Sequence, residues 1–214
     1  MNDYLFNANY DVTKKSKVKK IYEKYKIYIF SLTIISIIIF VSSSIYYNSK
    51  KNKRILLSEN YLQAKLFLDT KKKDKAKNIL KNIILENDPV YSTLSLHLII
   101  NENLINNSEE LLALFDHILD KNSFSKDLKS LLIYKKALVH SDSVSETELL
   151  DLVDPLINSD THWKPLALLL VGDFFISNKQ NKKAADFYKQ VFSINNLHQD
   201  LYNHARSQLS IIDD

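Results

Sequence analysis

The sequence predicts an all-α fold: one membrane-crossing helix, then a solenoid of antiparallel helix pairs. Three observations carry that expectation. Apolar residues recur three and four apart through most of residues 55–212, and no segment alternates with a period of two for long enough to make a strand. Turn-rich β architectures depend on glycine and proline, and these 214 residues hold one Gly and three Pro. Residues 27–49 carry no charge and are dominated by Ile and Phe.

Residues 1–26 form a basic leader containing seven lysines: Lys14, Lys15, Lys17, Lys19, Lys20, Lys24 and Lys26. Residues 1–54 hold 11 Lys/Arg against three acids, a balance of +8, and residues 55–214 hold 18 against 22, a balance of −4. A nucleic-acid-binding body shows the opposite distribution, so no nucleic-acid partner is expected.

The span 27–49 would measure about 34 Å as a helix, enough for a hydrocarbon core of about 30 Å. Tyr28 sits at one end and Tyr46 and Tyr47 at the other, where interfacial aromatics belong. A cleaved signal peptide is the rival reading, because Ser42 and Ser44 imitate a cleavage site. The apolar run exceeds the usual signal core of about 7–15 residues, which favours an uncleaved anchor. Ser31, Thr33, Ser36 and Ser42 to Ser44 could bond another membrane helix or their own helix carbonyls. Lys50, Lys51, Lys53 and Arg54 follow the span, fewer cations than precede it, which predicts a cytoplasmic N-terminus and an external C-terminal body.

Residues 50–214 read as helix pairs. "ILLSENYLQAKLFLDT" (55–70) is interrupted by "KKKD" and continued by "KAKNILKNIILEN" (75–87), with Pro89 just beyond. Further helical runs are expected at about 91–105, 108–120, 126–140, 146–158, 163–177, 181–194 and 198–212.

Gly172 lies inside one of these runs, where glycine costs about 1 kcal/mol relative to alanine. Gly172 and Ala184 are 12 apart and Phe175 and Tyr188 are 13 apart; Ala64 and Ala76, and Phe67 and Leu80, repeat those spacings. Gly172 then marks the closest approach of two helices, with a kink or hinge as the competing reading. In the middle of the chain the pattern loosens, with Ser95 and Asn107 as small or polar substitutes and Ala137 facing the larger Leu149.

The spacing "L-x2-V-G-x2-F … A-x3-Y-x2-V" from Leu168 to Val191 resembles the tetratricopeptide repeat (TPR). That resemblance implies a TPR-like α-solenoid packed through Ala64, Phe67, Ala76, Leu80, Gly172, Phe175, Ala184 and Tyr188. It also implies a partner-binding groove lined by Tyr61, Lys65 and Leu68 in the first pair and Leu169, Asp173 and Ile176 in the last. The layout as a whole, with "HWKPLALLLVGDFF" as a late helix, is similar to the YfgM-like ancillary subunits of the SecYEG translocon. From that family one expects a single-pass protein of the bacterial inner membrane with a periplasmic repeat domain. Its expected partners are the SecYEG translocon, periplasmic chaperones and the secreted proteins passed between them. A scaffold for envelope assembly or division would use the same architecture.

No residue is expected to be catalytic, cofactor-binding or metal-binding. The chain has no cysteine, and its six histidines form no H-x3-H or H-E-x2-H pair. One glycine cannot build a phosphate loop, and no G-x-S-x-G elbow occurs. An envelope enzyme would instead need polar residues converging in a deep pocket. Lys71, Lys72, Lys73, Lys75, Lys77 and Lys81 read either as a solvated turn and helix face or as a contact for anionic lipid or an acidic partner. Trp163 reads as a packing residue.

Overall fold

The computed structural model describes residues 17–213; residues 1–16 of the basic leader, and Asp214, lie outside the described residues. All regular structure among the described residues is helical. The helices are α1 (Lys17–Asp69), α2 (Lys73–Leu85), α3 (Pro89–Asn101), α4 (Ser108–Lys121), α5 (Lys126–His140), α6 (Glu146–Ile157), α7 (Lys164–Ser177), α8 (Asn181–Val191) and α9 (Gln199–Asp213). The chain divides into two compact units, Met1–Ile55 and Leu56–Asp214.

In the first unit, α1 exposes the apolar side chains expected to face lipid, from Tyr28 and Phe30 through Phe40 to Tyr46 and Tyr47. This helix is long and apolar enough to cross a membrane. The Ser31 and Thr33 hydroxyls donate to the carbonyls of Tyr28 and Phe30, the local alternative open to hydroxyls in an apolar helix. The sequence reading treats residues 27–49 and 55–70 as separate elements, whereas α1 runs through both. The intervening "KKNKR" contains neither glycine nor proline, so nothing there ends a helix.

The second unit is built on caps. Asp88 accepts from the amides of Val90 and Tyr91 at 3.0 Å, and Pro89 follows at the position where its missing N–H costs nothing. Asn107 and Ser125 cap α4 and α5, and Ser145 and Glu148 form a reciprocal capping box on α6. Asn107 is therefore a helix cap, which corrects its reading as a packing substitute. α3 ends at Asn101, short of the expected 105, because Asn103 turns left-handed (φ 48°) and the Leu104 amide bonds back to Ile99.

With glycine nearly absent, other residues must take the left-handed position that closes a helix. Lys71 (φ 58°) closes α1 and Lys179 (φ 59°) closes α7. In each case the next amide reaches back five residues, Lys72 to Phe67 at 2.8 Å and Gln180 to Phe175 at 2.8 Å, the signature of a Schellman cap. A side chain in this conformation costs about 1 kcal/mol that glycine avoids. Lys71→Gly and Lys179→Gly are each expected to raise the unfolding free energy by about 0.5–1 kcal/mol, read from urea midpoints.

From α2 onward each helix packs on the next, and α2 with α4, α5 with α7 and α7 with α9 also touch. Two hydrophobic cores result. The first holds Leu57, Ala64, Ala76, Leu80, Leu96, Phe115 and Leu132; the second holds Ala137, Leu149, Val153, Leu168, Phe175, Ala184 and Tyr188. α5 is the shared wall, giving Leu132 to one core and Ala137 to the other. Ala137 and Leu149 are both 0% exposed, so the pair that breaks the small-residue pattern still packs. Ion pairs tie alternate helices together: Lys81 to Glu110 across α2 and α4, and Lys183 to Glu146 across α8 and α6.

Glu146 is held below its ordinary value of 4.5, first by the hydrogen bond from Lys183, and Glu148 below the same value by bonds from Ser145. A carboxylate depressed in the folded state stabilises it above the unfolded value, and that contribution disappears as pH falls through the folded one. The melting temperature is therefore expected to decline as pH drops below about 4.5, and Glu146→Gln to flatten that acid limb in a thermal series.

Candidate interaction surface

Two corners of the second unit share a set of contacts at positions 108 residues apart. At the α1–α2 corner, Ala64 and Ala76 are fully buried, and Lys75 Nζ stands 5.7 Å from the Phe67 ring centre. At the α7–α8 corner, Gly172 and Ala184 are buried, and Lys183 Nζ stands 5.3 Å from the Phe175 ring. The Schellman caps at Lys71 and Lys179 fall at the same offset.

Gly172 is explained by Tyr188. A Cβ on Gly172 would lie 2.5 Å from Tyr188 Cε1, so the ring occupies the space an alanine methyl would take. The nearest neighbour is thus an aromatic side chain, not the backbone around Ala184. At the other corner the corresponding residue is Leu80, and Ala64 is accommodated. The Tyr188 hydroxyl donates to Asp173 Oδ1 at 2.7 Å, and the same oxygen accepts from His204 Nε2 at 3.0 Å. A carboxylate only accepts, so the proton resides on Nε2. Burial first, then the bond to Asp173 and its charge, push the Tyr188 phenol well above its ordinary value of 10.0, so it remains a donor. Tyr134 of α5, 5.7 Å from Trp163 between ring centres, is raised by burial and then by the charge of Asp173.

The expected groove residues separate into three situations. Lys65 is exposed; Tyr61, Leu68, Asp173 and Ile176 are half-buried, with Tyr61 packing 6.3 Å from Tyr91 between ring centres. Leu169 is 6% exposed and part of the second core, so its side chain offers no open contact; α7 is apolar on nearly every face and buries it. The lysine cluster is engaged within the chain: Lys73 donates to the Glu102 carbonyl, Lys77 meets Asp74, Lys81 meets Glu110, and Lys72 and Lys75 lie over Phe67. Among the described residues no group of three or more His, Asp or Glu is placed to hold a metal ion.

Sequence reasoning misses one surface. α5 touches α7 and α7 touches α9, but α3 and α5 stay apart, and a cavity of about 220 Å³ opens between them. Leu94 and Ile100 of α3 and Leu131 of α5 form its solvent-reached walls, and the buried core residues Leu96, Leu132 and Phe115 form the floor. Thr93, His97 and Lys135 are its polar lining. Each apolar member sits at ordinary core spacing, so nothing in the sequence separates a core position from a cleft wall.

Compared with known proteins, the chain matches no family model, no curated protein and no solved structure.

Proposed function

We propose that the chain is a membrane-anchored protein-interaction module whose body is a TPR-like array of helix pairs. The observation that carries this reading is the pair of corners 108 residues apart, alike in small buried residues, left-handed lysine caps and lysine-on-phenylalanine contacts. Arrays of this kind build extended recognition surfaces, and a membrane tether raises their effective concentration for partners at that membrane. The likeness of the layout to the YfgM-like family supports a finer assignment. In it the module is an ancillary subunit of the SecYEG translocon, with a periplasmic body that passes emerging proteins to folding factors.

Topology and contact test this together. Protease added to intact spheroplasts should remove a C-terminal tag while a cytoplasmic control survives. A photo-crosslinker at the exposed Lys65 should then capture translocon subunits. Protection of the tag until lysis would rule out the secretion role, and a correct topology without translocon crosslinks would leave an envelope scaffold.

A further inference from the structure

We infer that the cleft between α3 and α5 is a receptor for one large apolar side chain, leucine or phenylalanine, on an acidic segment of a partner protein. This rests on the interaction-module reading and identifies the chemistry of its ligand. The cleft's volume of about 220 Å³ is below the range of about 300–1,000 Å³ typical of small-molecule sites. It exceeds the roughly 150 Å³ that suffices to hold a benzene ring. One anchor side chain fits that interval, and a membrane-length acyl chain does not. The walls are apolar, and Leu94 at 39% exposure stands open to solvent, so filling the cleft removes apolar surface from water.

The charge of the partner follows from the remaining lining groups. The Thr93 hydroxyl is spent on the Pro89 carbonyl, and His97 Nε2 faces the Asn101 amide at 3.0 Å. Among the described residues no carboxylate lines the cleft, and Lys135 is the one ammonium in its lining. Its neighbour Lys136 is paired with Asp116, whereas Lys135 has no ion-pair partner among the described residues. An Asp or Glu beside the anchor complements that ammonium, while a lysine there would be repelled.

The test uses the full-length protein in phosphatidylcholine nanodiscs and fluorescence anisotropy of labelled short peptides, one central leucine flanked by glutamates. Saturable binding is expected. Replacing the peptide's leucine with alanine should weaken it about tenfold or more. Lys135→Glu should weaken the glutamate peptide and strengthen a lysine-flanked one, each about two- to fivefold. Leu94→Glu should abolish binding while leaving the thermal melt in place. Equal affinity for the alanine peptide, indifference to Leu94→Glu, or an unchanged charge preference in Lys135→Glu would each overturn the inference. So would saturable binding of a fluorescent palmitate analogue without peptide binding, which would make the cleft a lipid site. Loss of self-association in Leu94→Glu without peptide binding would instead assign it to a second copy of the chain. Translocon crosslinks that persist in Leu94→Glu would reject this cleft as the contact and leave the module reading intact.

Discussion

Gly172→Val is expected to lower the stability of the helical body by about 3 kcal/mol, the upper end of what overpacking costs. The first added carbon already falls 2.5 Å from the Tyr188 ring, and valine adds two methyls beyond it. Tyr188 has no room to yield: it is 0% exposed, and its hydroxyl is bonded to Asp173. Displacing it forfeits burial of an aromatic ring and frees a hydroxyl that needs a partner. The alternative view of Gly172, as a hinge, predicts a different pattern. A hinge glycine would tolerate no residue whatever stood opposite, whereas a packing glycine depends on the size of its neighbour.

A double-mutant cycle separates the two, because the chain already contains the substituted pair. Gly172→Ala with Tyr188→Leu reproduces the Ala64 and Leu80 pair of the other corner. The two single variants should each be destabilised, one by a clash and the other by a cavity. The double variant should be more stable than their sum by about 1–2 kcal/mol. Urea unfolding followed by the fluorescence of Trp163, the single tryptophan, reads all four proteins. Additive losses would reject the packing explanation.

Ile38→Asp combined with Ile39→Asp is expected to release the protein from the membrane. These side chains lie in the middle of the uncharged span and are 58% and 63% exposed. Each aspartate at the centre of a spanning helix costs about 2.5–3.5 kcal/mol, so the pair opposes insertion by about 5–7 kcal/mol. Wild-type protein should stay in the pellet after alkaline carbonate extraction, and the double variant should move to the supernatant. Extraction of the wild type would show that the apolar face of α1 does not meet lipid. A mature N-terminus beginning near Ser44 would show instead that the segment is a cleaved signal.

The lysine caps show where local sequence stops being informative. Glycine after a helical run is a strong stop signal, but Lys71 and Lys179 stand in clusters of lysines that read equally well as a solvated helix face. Their left-handed conformation is imposed by the corner that brings α2 onto the first core and α8 onto the second. A similar limit hid the role of Asn107, which could be a small substitute within a pair or a cap before one. Only the observed bond donated by the Glu110 amide to its side-chain Oδ1 distinguishes them.

By itself the sequence determined the all-helical class, the uncharged segment in α1, most helix bounds to within a few residues, and the matched residues of the two corners. These depend on interactions between residues a few positions apart, such as side-chain periodicity, end-capping oxygens and the length of an apolar run. The tertiary structure alone decided that α1 runs unbroken, that Leu169 is core, that Tyr188 is what excludes a side chain at Gly172, and that α3 and α5 part to open a cleft. Those outcomes depend on which distant surfaces meet and how completely they fill the space between them. Such packing is set jointly by residues far apart in the chain, and no local pattern records it.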